Sequence, residues 1–219
     1  MTLRRLLVML AVLGLVAGGC GDDDDGGATA ATEGDEPAVE DEGGAFDESI
    51  LPGAIVQAGD EGVTPDSAAD HDLDTIWPPG QFPDERAVYE DAGFVAGTFT
   101  FVPDLGLGGF SAAHLFPDAA GAEEAFAVVE EWHRDPANAE LAGGTPPGDL
   151  TDVTDVDVTL GDESVAFEHI GAQSRVAVVV WRNENVVHIL RALGAGPDED
   201  LAGTVTAVAQ AIDARMQAG

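Results

Sequence analysis

Apolar and polar positions alternate most cleanly over residues 153–160. There Val156, Val158 and Leu160 share one parity, and Asp155, Asp157 and Thr159 take the other. A period of two predicts a half-buried strand. The turn Gly161-Asp162-Glu163 leads into a second strand over 164–170, and residues 171–174 turn again into a third over 175–181. The uninterrupted apolar run 176–180 in that third strand reads as buried on both faces. Asn183-Glu184-Asn185 makes a hairpin turn before a fourth strand over 186–193. The period then changes: Leu201, Val205, Val208, Ile212 and Met216 recur at helical spacing, with Asp198, Glu199 and Asp200 at the favourable N-terminal end.

Upstream lies a similar succession. Residues 84–92 predict a short helix that Gly93 ends, and Phe94, Thr98, Thr100 and Phe101 mark a strand over 94–102. Gly106, Gly108 and Gly109 form the loop to a strand over 110–116, which completes a hairpin. Asp118 caps a helix running to about 133, whose Ala122, Ala125, Phe126, Val129 and Trp132 line one stripe. Glu123, Glu124, Glu130 and Glu131 mostly take its other side, and 143–148 is a Gly/Pro linker or long loop. The expected fold is α+β: a mostly antiparallel sheet with helices packed on one face, assembled from two strand-then-helix units without a residue-level repeat. The domain is expected over 84–219, preceded by an irregular lead-in over 49–83 in which Ile50, Leu51, Ile55, Val56 and Trp77 can seat against it.

The first twenty residues have a different pattern. Arg4 and Arg5 precede an eleven-residue apolar stretch, 6–16. At ~1.5 Å per residue that run is too short to cross a ~30 Å hydrocarbon layer comfortably. Ala17-Gly18-Gly19-Cys20 follows, with Ala17 where a Leu is usual. This arrangement resembles the lipobox of bacterial lipoproteins. The resemblance implies that residues 1–19 are a signal peptide and that Cys20 is diacylated as the first residue of the mature chain. It also implies that the bilayer is a partner and that the protein sits lipid-anchored on the extracytoplasmic face of the cell membrane. The alternative is an ordinary signal peptide cut nearby with Cys20 incidental; the choice between general and twin-arginine export stays open. The entry of Gly161-Asp162-Glu163-Ser164 into a strand, and the apolar strand ending in Arg182-Asn183, are similar to extracytoplasmic lipoprotein domains of high-GC bacteria. That likeness brings no catalytic residues with it.

Residues 21–48 hold twelve acids and no base, so 20–48 is expected to be a disordered acidic tether. Asp22, Asp24, Gly27 and Glu33 take positions 1, 3, 6 and 12 of an EF-hand-like loop, but Gly26 stands where the fifth-position ligand belongs, which favours the tether.

Charge narrows the partners. The chain has 42 acids against eight basic residues, all Arg, for a formal net charge of −34. Such a field repels nucleic acid and anionic lipid surfaces. A 45% hydrophobic content excludes a wholly disordered chain, and one cysteine excludes an intrachain disulfide. Residues 49–219 alone carry thirty acids and six Arg, hence −24, so the folded part is itself acidic and suited to concentrated salt.

The candidate chemistry is sparse. Asp70, Asp72 and Asp74 around His71 can be imagined as Ca²⁺ ligands, although Thr75 stands where the loop needs Gly. His71, His114, His133, His169 and His188 include no zincin-like pair. His133-Arg134-Asp135 is followed by Pro136 and lacks the other kinase signatures; Gly106-Leu107-Gly108-Gly109 precedes a strand, unlike a dinucleotide loop. Ser111, Ser164 and Ser174 are the hydroxyls that could sit beside a His. Arg175, Arg182 and Arg191 lie on or beside adjacent strands and would form an anion or carboxylate pocket if they converged; otherwise each pairs with a local acid. The expected function is a non-enzymatic binding, accessory or sensor domain without a cofactor. A small-ligand or metal-ion carrier is the alternative, and a hydrolytic enzyme the third reading.

Overall fold

The computed structural model describes residues 45–106, 108–143, 145–194 and 200–218. Cys20 and the acidic tract before 45 lie outside them. Seven strands form one antiparallel sheet: β1 (Ala69–Asp70), β2 (Ala96–Phe101), β3 (Phe110–Leu115), β4 (Leu150–Val156), β5 (Glu163–Gly171), β6 (Arg175–Asn183) and β7 (Val186–Gly194). Their spatial order is β1-β2-β3-β7-β6-β5-β4. The helices are α1 (Leu73–Ile76), α2 (Pro83–Asp91), α3 (Ala119–Arg134), α4 (Pro136–Gly143) and α5 (Leu201–Met216). The class is α+β, as the alternating patterns require.

Helices cover both faces of the sheet, which corrects the expectation of one covered face. On β6, Val176, Val178 and Val180 pack in a core with Tyr89 of α2 and with Ala122, Ala125, Phe126 and Val129 of α3. Their alternates Ala177, Val179 and Trp181 pack with Val205, Val208, Ala209 and Ile212 of α5. A strand apolar at every position has two faces to remove from water, and a single helical layer can cover only one of them. The two strand-then-helix units fuse because β3 pairs with β7 along their length, from Phe110–Arg191 to Leu115–Val186.

The caps follow local chemistry. Asp118 accepts a hydrogen bond from Gly121 N at 2.9 Å and starts α3; Asp200 does the same for α5 through Gly203 N at 3.0 Å. Two elements depart from the pattern. β4 ends at Val156, short of the expected 160, because it is an edge strand whose side chains are mostly exposed. Leu160 leaves the ladder and turns into the core, its amide held by Ser164 Oγ at 3.1 Å. The unforeseen α4 begins with Pro136, which suits a first helical position, after Asp135 accepts from Ala137 N at 2.8 Å. The expected lead-in is integral to the fold: Leu51, Ala54, Ile55, Val56 and Trp77 are all buried, and β1 extends the sheet.

Asn185, beside the left-handed Glu184 of the β6–β7 turn, fixes where the chain joins the domain. Its Nδ2 donates to Phe116 O at 2.7 Å and Phe46 O at 3.0 Å, and its Oδ1 accepts from Phe46 N at 2.8 Å. Asn185→Ala strands a buried carbonyl and is expected to cost about 1–3 kcal/mol. Urea unfolding measures that loss, and hydrogen exchange should show the Phe46 amide losing protection. Unchanged protection there would show that Asn185 does not hold the segment.

Candidate functional site

The aspartates around His71 do not converge. Asp72 caps α1, accepting from Thr75 N at 2.8 Å, and Asp74 pairs with Arg86 at 2.8 Å. Asp70 ends the exposed β1. Among the described residues no group of three or more His, Cys, Asp or Glu is placed to hold a metal ion. Ser111 Oγ accepts from Val56 N at 3.2 Å, and Ser164 serves Leu160 as above. Ser174 is buried, and among the described residues no Ser hydroxyl bonds an imidazole. Asp22, Asp24, Gly27, Glu33 and Cys20 lie outside the described residues.

The three strand arginines separate. Arg175 pairs with Glu168 at 3.1 Å, and Arg182 with Asp162 at 3.4 Å and Glu163 at 3.9 Å. Arg191 behaves differently. It has no exposure and, among the described residues, no acidic partner. Its alternation with Val187 and Ile189 on β7 points it under α3 and α4, where Nη2 donates to Ala139 O at 2.9 Å. Burial lowers its pKa to about 10.

Two histidines lie on the same side of the sheet as Arg191. His133 lies in the last turn of α3, and its ring stands 6.3 Å from Phe110, the cross-strand partner of Arg191. Burial, then Arg191, then His169 lower the pKa of His133 to about 3. His169 of β5 faces the same side and donates from Nε2 to His133 O at 2.7 Å. That bond places its proton on Nε2 and leaves Nδ1 a lone-pair acceptor. Burial is the main cause of its lowered pKa, with Arg191 adding to it. Among the described residues, four of these side-chain atoms are buried without partners: Arg191 Nε and Nη1, His133 Nδ1 and His169 Nδ1. Such groups ordinarily meet a ligand or ordered water.

The other histidines belong to different parts of the core. His114 Nδ1 meets Tyr89 Oη at 2.9 Å, and its Nε2 meets His71 Nδ1 at 3.2 Å. His188 stacks on Trp181 at 4.6 Å, with its Nδ1 donating to Ala54 O at 2.9 Å. From the sequence, Arg191 is a candidate for anion binding, but His133 and His169 are not joined to it. The signal was present: Arg191 falls in step with Val187 and Ile189, and His133 follows Val129 by four residues on the buried stripe.

No protein-family model matches the chain, and no curated protein matches it. Among solved structures, the chain is similar to the extracellular domain of PknH from Mycobacterium tuberculosis. The two are 16% identical with a TM-score of 0.45, over 78% of this chain and 98% of that one.

Proposed function

We propose that this chain is a membrane-anchored extracytoplasmic lipoprotein whose α+β domain is a non-enzymatic binding, accessory or sensor module. The observation that carries the reading is the order of features along the chain. An apolar run ends in Ala17-Gly18-Gly19-Cys20, an acidic tract follows, and Phe46 is clamped by Asn185 at the start of the folded body. In this reading an acylated Cys20 holds the bilayer and residues 20–48 space the domain from it. Several acyl chains, at ~0.8 kcal/mol per buried CH₂, hold such a protein firmly. Among the described residues, Ser111 and Ser164 are engaged with the backbone and Ser174 makes no hydrogen bond to an imidazole, which favours binding over catalysis.

Cells supplied with an alkynyl fatty acid are expected to label the full-length protein and retain it in membranes. Cys20→Ala is expected to lose both label and retention. A variant that keeps the label, or a wild-type chain cleaved elsewhere with Cys20 unmodified, would overturn the anchor.

A further inference from the structure

Five of the six arginines in the folded part meet a carboxylate. Arg86 pairs with Asp74, Arg134 with Asp155, Arg175 with Glu168, Arg182 with Asp162 and Arg215 with Asp60. Arg191, the most deeply buried, meets none among the described residues. Residues 49–219 hold thirty acids, so the fold had many carboxylates available to place there. Glu168 neighbours His169 in sequence, but it points to the opposite face of the sheet and is committed to Arg175.

We propose that Arg191 and His169, on the same face of the sheet, bind a small oxyanion that carries its own O–H group, such as hydrogen phosphate or a short 2-hydroxycarboxylate. The inference rests on the binding-module reading of the domain and is independent of its anchorage. The chemistry of the two side chains selects this class. Arg191 offers Nε–H and the two N–H bonds of Nη1, a charged donor set that matches oxyanion oxygens. On the same face of the sheet, His169 has given its proton to His133 O and presents a bare Nδ1, which needs a donor and repels a second lone pair. A ligand with an oxyanion at one end and a hydroxyl at the other satisfies both; halide or an unsubstituted carboxylate satisfies only the guanidinium.

α4 covers Arg191, meeting it through the hydrogen bond from Nη2 to Ala139 O, and Ala139 is its only fully buried described side chain. Displacing α4 gives the ligand access and breaks that bond. It also breaks the bond from Asn138 Nδ2 to Trp132 O at 3.1 Å and those that Glu140 accepts from Gly148 N at 2.8 Å and Leu150 N at 2.9 Å. A bound oxyanion compensates by neutralising a charge that has no counter-ion among the described residues.

The test uses the full chain and four sodium salts at equal ionic strength: phosphate, 2-hydroxypropanoate, propanoate and chloride. Thermal unfolding and calorimetric titration are the readouts. Saturable stabilisation is expected from phosphate or 2-hydroxypropanoate, and not from propanoate or chloride; which of the two acts identifies the source of the chemistry. Arg191→Met is expected to weaken binding about a hundredfold, and His169→Phe about tenfold. Absence of saturable binding by both hydroxylated probes overturns the proposal, as does an unchanged Kd in Arg191→Met. If Arg191→Met does not fold, long-range ¹H–¹⁵N spectra of the wild-type imidazoles decide. Shifts of His133 and His169 on titration support the site, and unshifted rings overturn it. Fatty-acid labelling at Cys20 reads the anchor separately, so the failure of one proposal is distinguishable from failure of the other.

Discussion

Acidification from pH 7 to pH 5 is expected to remove a large part of the folded domain's stability. In the unfolded chain each imidazole takes up a proton near pH 6.5. In the fold, burial holds His133 to about 3 and His188 to about 4, and pushes His114 well below its ordinary value. Between those values the unfolded state binds more protons than the native state, so stability falls as pH falls. The contribution of these groups is fully present above pH 6.5 and is lost progressively toward the folded values. His133 and His188 each cost about 2 kcal/mol by pH 5. The two together cost about 4 kcal/mol against a typical net stability of about 5–15 kcal/mol, and His114 acts in the same direction.

The surplus of acids works in the other direction, since protonating carboxylates relieves repulsion. Ordinary carboxylates titrate near pH 4, after the histidine loss is well advanced. Chemical unfolding followed by tryptophan fluorescence at pH 7, 6 and 5 measures the balance. Equal or greater stability at pH 5 would refute the dominance of the buried histidines.

Trp181→Ala is expected to be the most damaging single truncation of the core, at about 3–5 kcal/mol. The residue lies on β6 between β5 and β7, opposite Ser164 and His188, and is 0% exposed. Its ring faces the core shared with α5 and stacks on His188 with planes only 7° apart. Its indole nitrogen makes no hydrogen bond among the described residues, so the loss is one of packing and buried area. Truncation also opens His188 to water, which lets that imidazole protonate nearer its ordinary value in the fold. The variant should therefore lose stability at pH 7 yet show a shallower decline on acidification. Urea unfolding at both pH values checks the pair of effects. A loss under 1 kcal/mol, or an unchanged pH slope, would show that the stack does not shield His188.

Much of the secondary structure was legible because its causes are local. Asp118 and Asp200 sit just before their helices, the stripe Leu201-Val205-Val208-Ile212 repeats at helical spacing, and hairpin turns separate the apolar runs. Pro136 to Gly143 carries no such stripe, and its helix went unrecognised because contacts with α3 and β4 stabilise it. The alternation at 153–160 indicated a strand, but it could not show that β4 is an edge, where Leu160 is free to leave the ladder and turn inward.

Sequence by itself determined the antiparallel α+β class, the acidic surface and the doubly buried character of β6. Only the tertiary structure decided that α3 and α5 take opposite faces, and that Arg191 reaches Ala139, 52 residues away, and meets no acid among the described residues. It likewise joined His169 to the carbonyl of His133 across 36 residues. Periodicity and capping act over one or two turns of chain and can be read along it. The pairing of a buried charge depends on which distant elements close over it, and that is set by packing the whole sheet.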